Sequence, residues 1–249
     1  MRWLITLGAV DLAVAAWLIV GGVETQRADL VFATGNDHRF LDPQRVSWLH
    51  DIRVVECLFE PLVRVKVPEM TIEPGAAELV TVSDDGLTYT FHIRPSARWS
   101  NGDPVRSTDF IYAWRRALLP DLAADYTQLL WLIKGAKSFF QFRQQQLADY
   151  AANQSGASAQ RAQTLLKAAL RRFDETVGLH ALDESTLVVE LNEPTPYFLE
   201  LAAFATFMPV HTKSVDRQTN VHVRSGRLIQ DPLWTRPDRI VGNGPYVLK

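Results

Sequence analysis

DDGLTYTFHIRPSARWSNGDPVRSTDFIYAWRRALL, residues 84–119, is the stretch on which the reading of the fold turns. It opens on a turn at Asp84, Asp85 and Gly86, where glycine accepts a positive φ that side chains resist. Tyr89, Phe91 and Ile93 then alternate with Thr88, Thr90, His92 and Arg94, the period of a strand with one buried face. Residues 101–104, NGDP, make a second turn. After it Ser107, Thr108 or Asp109 can cap a helix whose Phe110, Ala113, Trp114 and Ala117 recur at helical spacing, and Pro120 ends it. No catalytic group dominates this unit.

Working outward, residues 29–34 (DLVFAT) read as a short buried strand and residues 35–43 as a loop. A helix capped by Ser47 runs to about Phe59, with Trp48, Ile52, Val55 and Phe59 on one face, and Pro61 stops it. Residues 62–67 are an edge strand and residues 71–77 a loop. Beyond Pro120, helix is expected across 121–142 and again across an Ala-, Gln- and Arg-rich segment to 175, broken near 153–158. Strands at 177–180 and 186–191 flank a turn at Asp183, Glu184 and Ser185. A helix starts near Tyr197 after two prolines, and residues 212–240 are loop-rich with a short helix at 212–217. Alternating strands and helices imply an α/β or α+β chain with a mixed sheet.

The composition limits the function. The 249 residues suffice for one large domain or two modest ones, and 47% apolar against 22% charged is ordinary for a globular protein. A formal charge of −2 gives no electrostatic case for nucleic acid as a partner. Seven Trp make the chain aromatic-rich, as cores and ligand clefts both are. The single cysteine, Cys57, excludes an internal disulfide and reads as an inert core thiol in the run VVECLF. At the N-terminus, Met1 and Arg2 precede an apolar run at residues 4–23, long enough to span a bilayer at about 20 residues. That pattern reads as an export signal or membrane anchor over residues 1–27, with cleavage and retention both open. Asp11 inside the run costs about 2.5–3.5 kcal/mol on insertion scales.

Chemistry is sparse. There is no G-x-S-x-G elbow, no phosphate-cradling glycine loop and no H-E-x-x-H, and the six histidines lack metal-ligand spacing. The carboxylate pairs Asp84–Asp85 and Asp183–Glu184 sit in turns, where capping explains them. Glu56 and Glu60 are one turn apart, either a buried acid pair or two exposed helix acids. Arg161, Lys167, Arg171 and Arg172 decorate a solvated helix face. The residues point to no enzyme, cofactor or metal.

Five blocks carry a resemblance: LDP at 41–43, CLFEPLV at 57–63, residues 86–118 of the opening stretch, LNEPTPYFLELAA at 191–203 and GNGPYVLK at 242–249. In this order they resemble the family 5 extracellular solute-binding proteins, the periplasmic oligopeptide- and dipeptide-binding proteins of ABC importers. The resemblance implies a periplasmic-binding-protein-like (Venus-flytrap) α/β fold that engulfs peptide between two lobes and holds it chiefly by its backbone. It also implies a periplasmic or extracytoplasmic location, ABC permease subunits as partners and no enzymatic activity. This chain resembles the N-terminal half only. About residues 28–70 and 178–249 correspond to a base domain and about 71–177 to an inserted one. Ligand-facing positions carry over to Ser47, Trp48 and Leu49, to Tyr126 and to Phe204; of these only Tyr126 keeps the expected residue type. A helix-packing role for Tyr126 and a core role for Trp48 stand beside the ligand reading. The second lobe falls outside the resemblance, so a separate chain carrying it is a further expected partner and peptide binding by this chain alone should be weak. The alternative is a membrane-anchored interaction module or a non-binding remnant.

Overall fold

The computed structural model describes residues 41–153 and 157–248. The expected leader at residues 1–27 and the strand at 29–34 lie outside them. Among the described residues no helix is long and apolar enough to cross a membrane.

The opening stretch forms the centre of the architecture. β4 (Thr88–Ile93) has a strictly alternating burial pattern, with Tyr89, Phe91 and Ile93 inside, as its sequence requires. It is the second strand of an antiparallel sheet ordered β3 (Ala77–Val82), β4, β6 (Thr186–Glu190), β5 (Leu179–Ala181). Tyr89 pairs with Val189 and Phe91 with Leu187, which places aromatic and branched side chains on one face. The sheet joins strands from both sides of position 177. Before β3, α1 (Leu49–Leu58) is followed by a hairpin of β1 (Val63–Lys66) and β2 (Thr71–Pro74). Residues 71–74 are therefore strand where a loop was expected, because Pro74 sits at the end of a two-stranded ribbon and removes no central ladder bond; a bend at 75–76 leads into β3.

α2 (Ser107–Leu118) lies against β5 and β6 with Phe110, Ala113, Trp114 and Ala117 fully buried. Its N-cap is Arg106, not one of the three expected residues. Asp109 instead turns back and accepts the Arg106 N–H at 3.0 Å, while the Ser107 hydroxyl donates to the Asp183 carbonyl. The turn before it is held by a bond from Trp99 N–H to the Asp103 carbonyl, with Gly102 at φ 90°. Trp99 is buried, and its indole N–H donates to Asp109 at 3.1 Å.

Two long helices follow, α3 (Ala136–Ala152) and α4 (Ala159–Thr176), packed side by side with Phe139 edge-on to Phe173 at 5.2 Å. Arg143, fully buried, fixes α3 by donating to both oxygens of Asp121 and to the Gly226 carbonyl. After the sheet come α5 (Phe198–Ala202), α6 (Thr212–Asp216) and a hairpin of β7 (Thr219–Val221) and β8 (Leu228–Gln230) that the loop-rich sequence did not announce. The Leu228 N–H donates to Asp121 at 2.6 Å, so the same carboxylate ties this hairpin to α3.

Two further expectations are corrected here. Cys57 is exposed, because the inward face of α1 is taken by Asp51, Ile52, Val55 and Leu58, and position 57 falls outside it. Glu56 and Glu60 are not a pair: Glu56 is exposed on α1, and Glu60 lies beyond the helix with Arg94 at 2.6 Å. The turn acids behave as expected: Asp85 accepts from Ser83 and the Leu87 N–H, and Asp183 from Ser185 and Thr186.

Candidate functional site

The positions carried over from the resemblance come from three separate parts of the chain, and the structure brings most of them to one place. The Tyr126 hydroxyl reaches the Ser47 carbonyl at 3.4 Å, and the Tyr126 ring stands edge-on to Phe204 at 5.1 Å between centroids. Both rings are half-buried. Beside Ser47, Trp48 is 70% exposed and Leu49 63% exposed. The core role for Trp48 is thereby excluded: as the N-cap of α1 it has extended backbone angles that turn its indole away from the helix's inner face. Its ring lies 6.3 Å from that of His50. Ser47 does not cap α1, since no side chain makes that bond.

Each of the three segments is anchored on α2. Residues 41–47 are held by Asp42, whose two oxygens take Arg116 at 3.3 and 2.7 Å; both side chains are 2% exposed. Gln44 adds an acceptor to Arg116 at 2.5 Å and donates to the Thr206 and Met208 carbonyls, so it also fixes residues 206–208 beside the Phe204 turn. Tyr126 precedes a 3-10 helix (Thr127–Leu132) that is pinned by the Thr127 hydroxyl to the Ala117 carbonyl at 2.9 Å. Phe204 leads into another short 3-10 helix (Ala205–Phe207), whose Phe207 carbonyl accepts from Trp114 at 2.7 Å while the two rings meet edge-on. A buried ion pair, a hydroxyl and an indole thus set the relative positions of Ser47, Tyr126 and Phe204.

Sequence reasoning did not find Asp42, Gln44, Arg116 or Thr127 as positioning residues. The available signal was Arg116 on the otherwise apolar inner side of α2, a charge that cannot be buried without a partner. The face is aromatic and aliphatic with main-chain acceptors around it. Its exposed indole and leucine and its half-buried rings can stack on and pack against a ligand.

Residues 71–249 match the model of the bacterial extracellular solute-binding proteins, family 5. The oligopeptide-binding protein OppA of Bacillus subtilis (strain 168) is 36% identical over 193 residues, covering 78% of this chain and 28% of that protein. The periplasmic murein peptide-binding protein MppA of Escherichia coli (strain K12) is 29% identical over 243 residues, 98% of this chain and 38% of that one. The chain therefore spans 28 to 38% of the length of these relatives. Among solved structures, the Escherichia coli murein tripeptide binding protein MppA aligns with a TM-score of 0.64 at 28% identity, over 84% of this chain and 33% of the other. Listeria monocytogenes OppA bound to peptide gives 0.63 at 27% identity, over 84% and 33%. Every strand pairing among the described residues is antiparallel, where a mixed sheet was expected, because β1–β2, β3–β4, β5–β6 and β7–β8 are each formed by successive strands that fold back on one another. The combination of helices and sheets and the ordered motifs agree with that fold, and the chain belongs to the family 5 bacterial extracellular solute-binding proteins.

Proposed function

We propose that these residues form one wall of a peptide-binding cleft in the substrate-binding component of an extracytoplasmic ABC importer. Ser47, Trp48, Leu49, Tyr126 and Phe204 face the peptide. The observation that carries this reading is the convergence of three distant segments on one patch whose most exposed members, Trp48 and Leu49, are apolar. Large exposed apolar side chains next to fixed aromatic rings are a feature of recognition surfaces rather than of solvated ones. The relatives' names, oligopeptide-binding and murein peptide-binding, support peptide as the ligand class.

In this reading the chain is not an enzyme, permease subunits receive the loaded protein, and another polypeptide segment or a separate chain supplies the opposite wall. The division into a base part (28–70 and 178–249) and an inserted part (71–177) belongs to the same proposal. It is a division of ligand contacts rather than of sheets, because β4 and β6 pair across position 177.

Amide chemical-shift mapping of the full chain with a mixture of short peptides tests the site. Peptide addition should move the signals of residues 47–49, 126 and 204 together. Perturbation confined to other surfaces would remove these residues from the site.

A further inference from the structure

A groove of about 680 Å3 runs between the segment that begins at Pro120, one side of α3 and the loop carrying Ser225 and Arg227. Its walls are largely apolar, from Pro120, Ala123, Ala124, Trp131, Phe140 and Leu147. Its volume lies in the range of about 300–1,000 Å3 typical of small-molecule sites. Ser225 and Arg227 also line a second hollow, of about 240 Å3, which contains Arg45 and Arg116. An apolar slot therefore opens beside a second hollow, with Arg227 on the boundary of both.

The acids near that boundary are already engaged. Asp42 holds Arg116, and Asp121 holds Arg143 and the Leu228 N–H. Arg227 makes only a long hydrogen bond, 3.4 Å to the Pro120 carbonyl, and enters no ion pair among the described residues. Its guanidinium is exposed and presents a planar fork suited to a carboxylate. A cationic ligand would meet the Arg227 guanidinium, and a neutral one would leave that charge unused.

We propose that this groove binds a small monocarboxylate with a bulky apolar body, its carboxylate on Arg227 and its body against Trp131 and Phe140. Ser47, Trp48, Leu49, Tyr126 and Phe204 do not line this groove, so the proposal does not require peptide to bind at that patch.

Calorimetric titration of the full chain with 2-naphthoate, with 2-naphthamide as the uncharged body and acetate as the bodiless charge, tests it. Naphthoate should bind saturably, and both controls about tenfold or more weakly, the worth of one charge-assisted contact or of the buried body. Arg227→Gln should weaken naphthoate by about tenfold. Ala148→Trp, which fills the groove from the exposed side of α3, should abolish binding with the circular dichroism unchanged. Trp48→Ala, at an exposed position outside the groove, should leave it intact. Equal binding of naphthamide, indifference to Arg227→Gln or Ala148→Trp, loss with Trp48→Ala, or no saturable binding by the parent chain would each overturn the proposal.

Discussion

Arg116 is the residue on which most depends. Itself only 2% exposed, it gives both terminal nitrogens to the Asp42–Gln44 loop and its Nε to the partly buried Gln230 at 2.7 Å. Bringing a guanidinium and a carboxylate out of water is costly, and the pair repays this only while every donor has an acceptor. Arg116→Ala leaves Asp42 buried and unpaired, so it should cost about 3–5 kcal/mol in denaturant unfolding. A loss under about 1 kcal/mol would show that water replaces the partner. Tyr126 obeys a different rule. Its hydroxyl bond to Ser47 is long, so Tyr126→Phe should change stability by less than about 0.5 kcal/mol, whereas Tyr126→Ala removes the edge contact with Phe204 and should cost about 2–4 kcal/mol. Thermal unfolding of both variants separates ring from hydroxyl.

At the scale of elements, the joints between helices, turns and strands set the tolerances. Gly135, the N-cap of α3, has φ 74°, and a Cβ there would meet the Thr176 carbonyl oxygen at the end of α4. Gly135→Ala adds left-handed strain to that clash and should destabilise by at least about 1–3 kcal/mol, read from the shift in unfolding midpoint. Another joint is acid-sensitive. A hydrogen bond from His211, then one from Asn101 and the nearby Lys213, hold the Asp103 carboxyl below its usual range. A group depressed in the folded state stabilises fully above the ordinary carboxylate range, and that stabilisation disappears as pH falls through the depressed value. Asp103→Asn should therefore make stability less steep in acid, measured by chemical unfolding from about pH 6 down to about pH 3. Asp109, in the first turn of α2, has the opposite sign: burial raises its carboxyl above the usual range despite bonds from Arg106, Trp99 and Thr212, so its contribution fades as pH rises. An unchanged acid limb in Asp103→Asn would show that the His211 contact carries no linkage. The sequence made β4 and α2 legible because their apolar residues repeat at 2 and 3.6. It could not show the β7–β8 hairpin, whose strands of three residues are too short for any period and depend on Asp121 for their place. Nor could it show that Trp48 faces out, since the indole's direction follows from the N-cap backbone and not from its spacing.

At the scale of the molecule, the patch at Trp48, Leu49, Tyr126 and Phe204 is a surface rather than an enclosed cleft. Trp48 and Leu49 keep most of their area in water, whereas a site that binds a small ligand tightly buries about 70–90% of the ligand's surface. A peptide lying on one wall gains contact on one side and still gives up its freedom of motion in full. Closure by a hinge, which would cover the other side, requires a second body to close. The described residues alone should therefore hold short peptides only weakly, with a Kd on the order of 1 mM. Titration calorimetry of the full chain with mixed short peptides measures this directly. Micromolar affinity in that experiment would refute the one-wall description, because it would require an enclosure that Ser47, Trp48, Leu49, Tyr126 and Phe204 do not form. If the weak value is found, adding in trans a polypeptide that supplies the opposite wall should tighten it, and Trp48→Ala should cancel the gain. Tightening that survived Trp48→Ala would place the second wall against some other face of this chain.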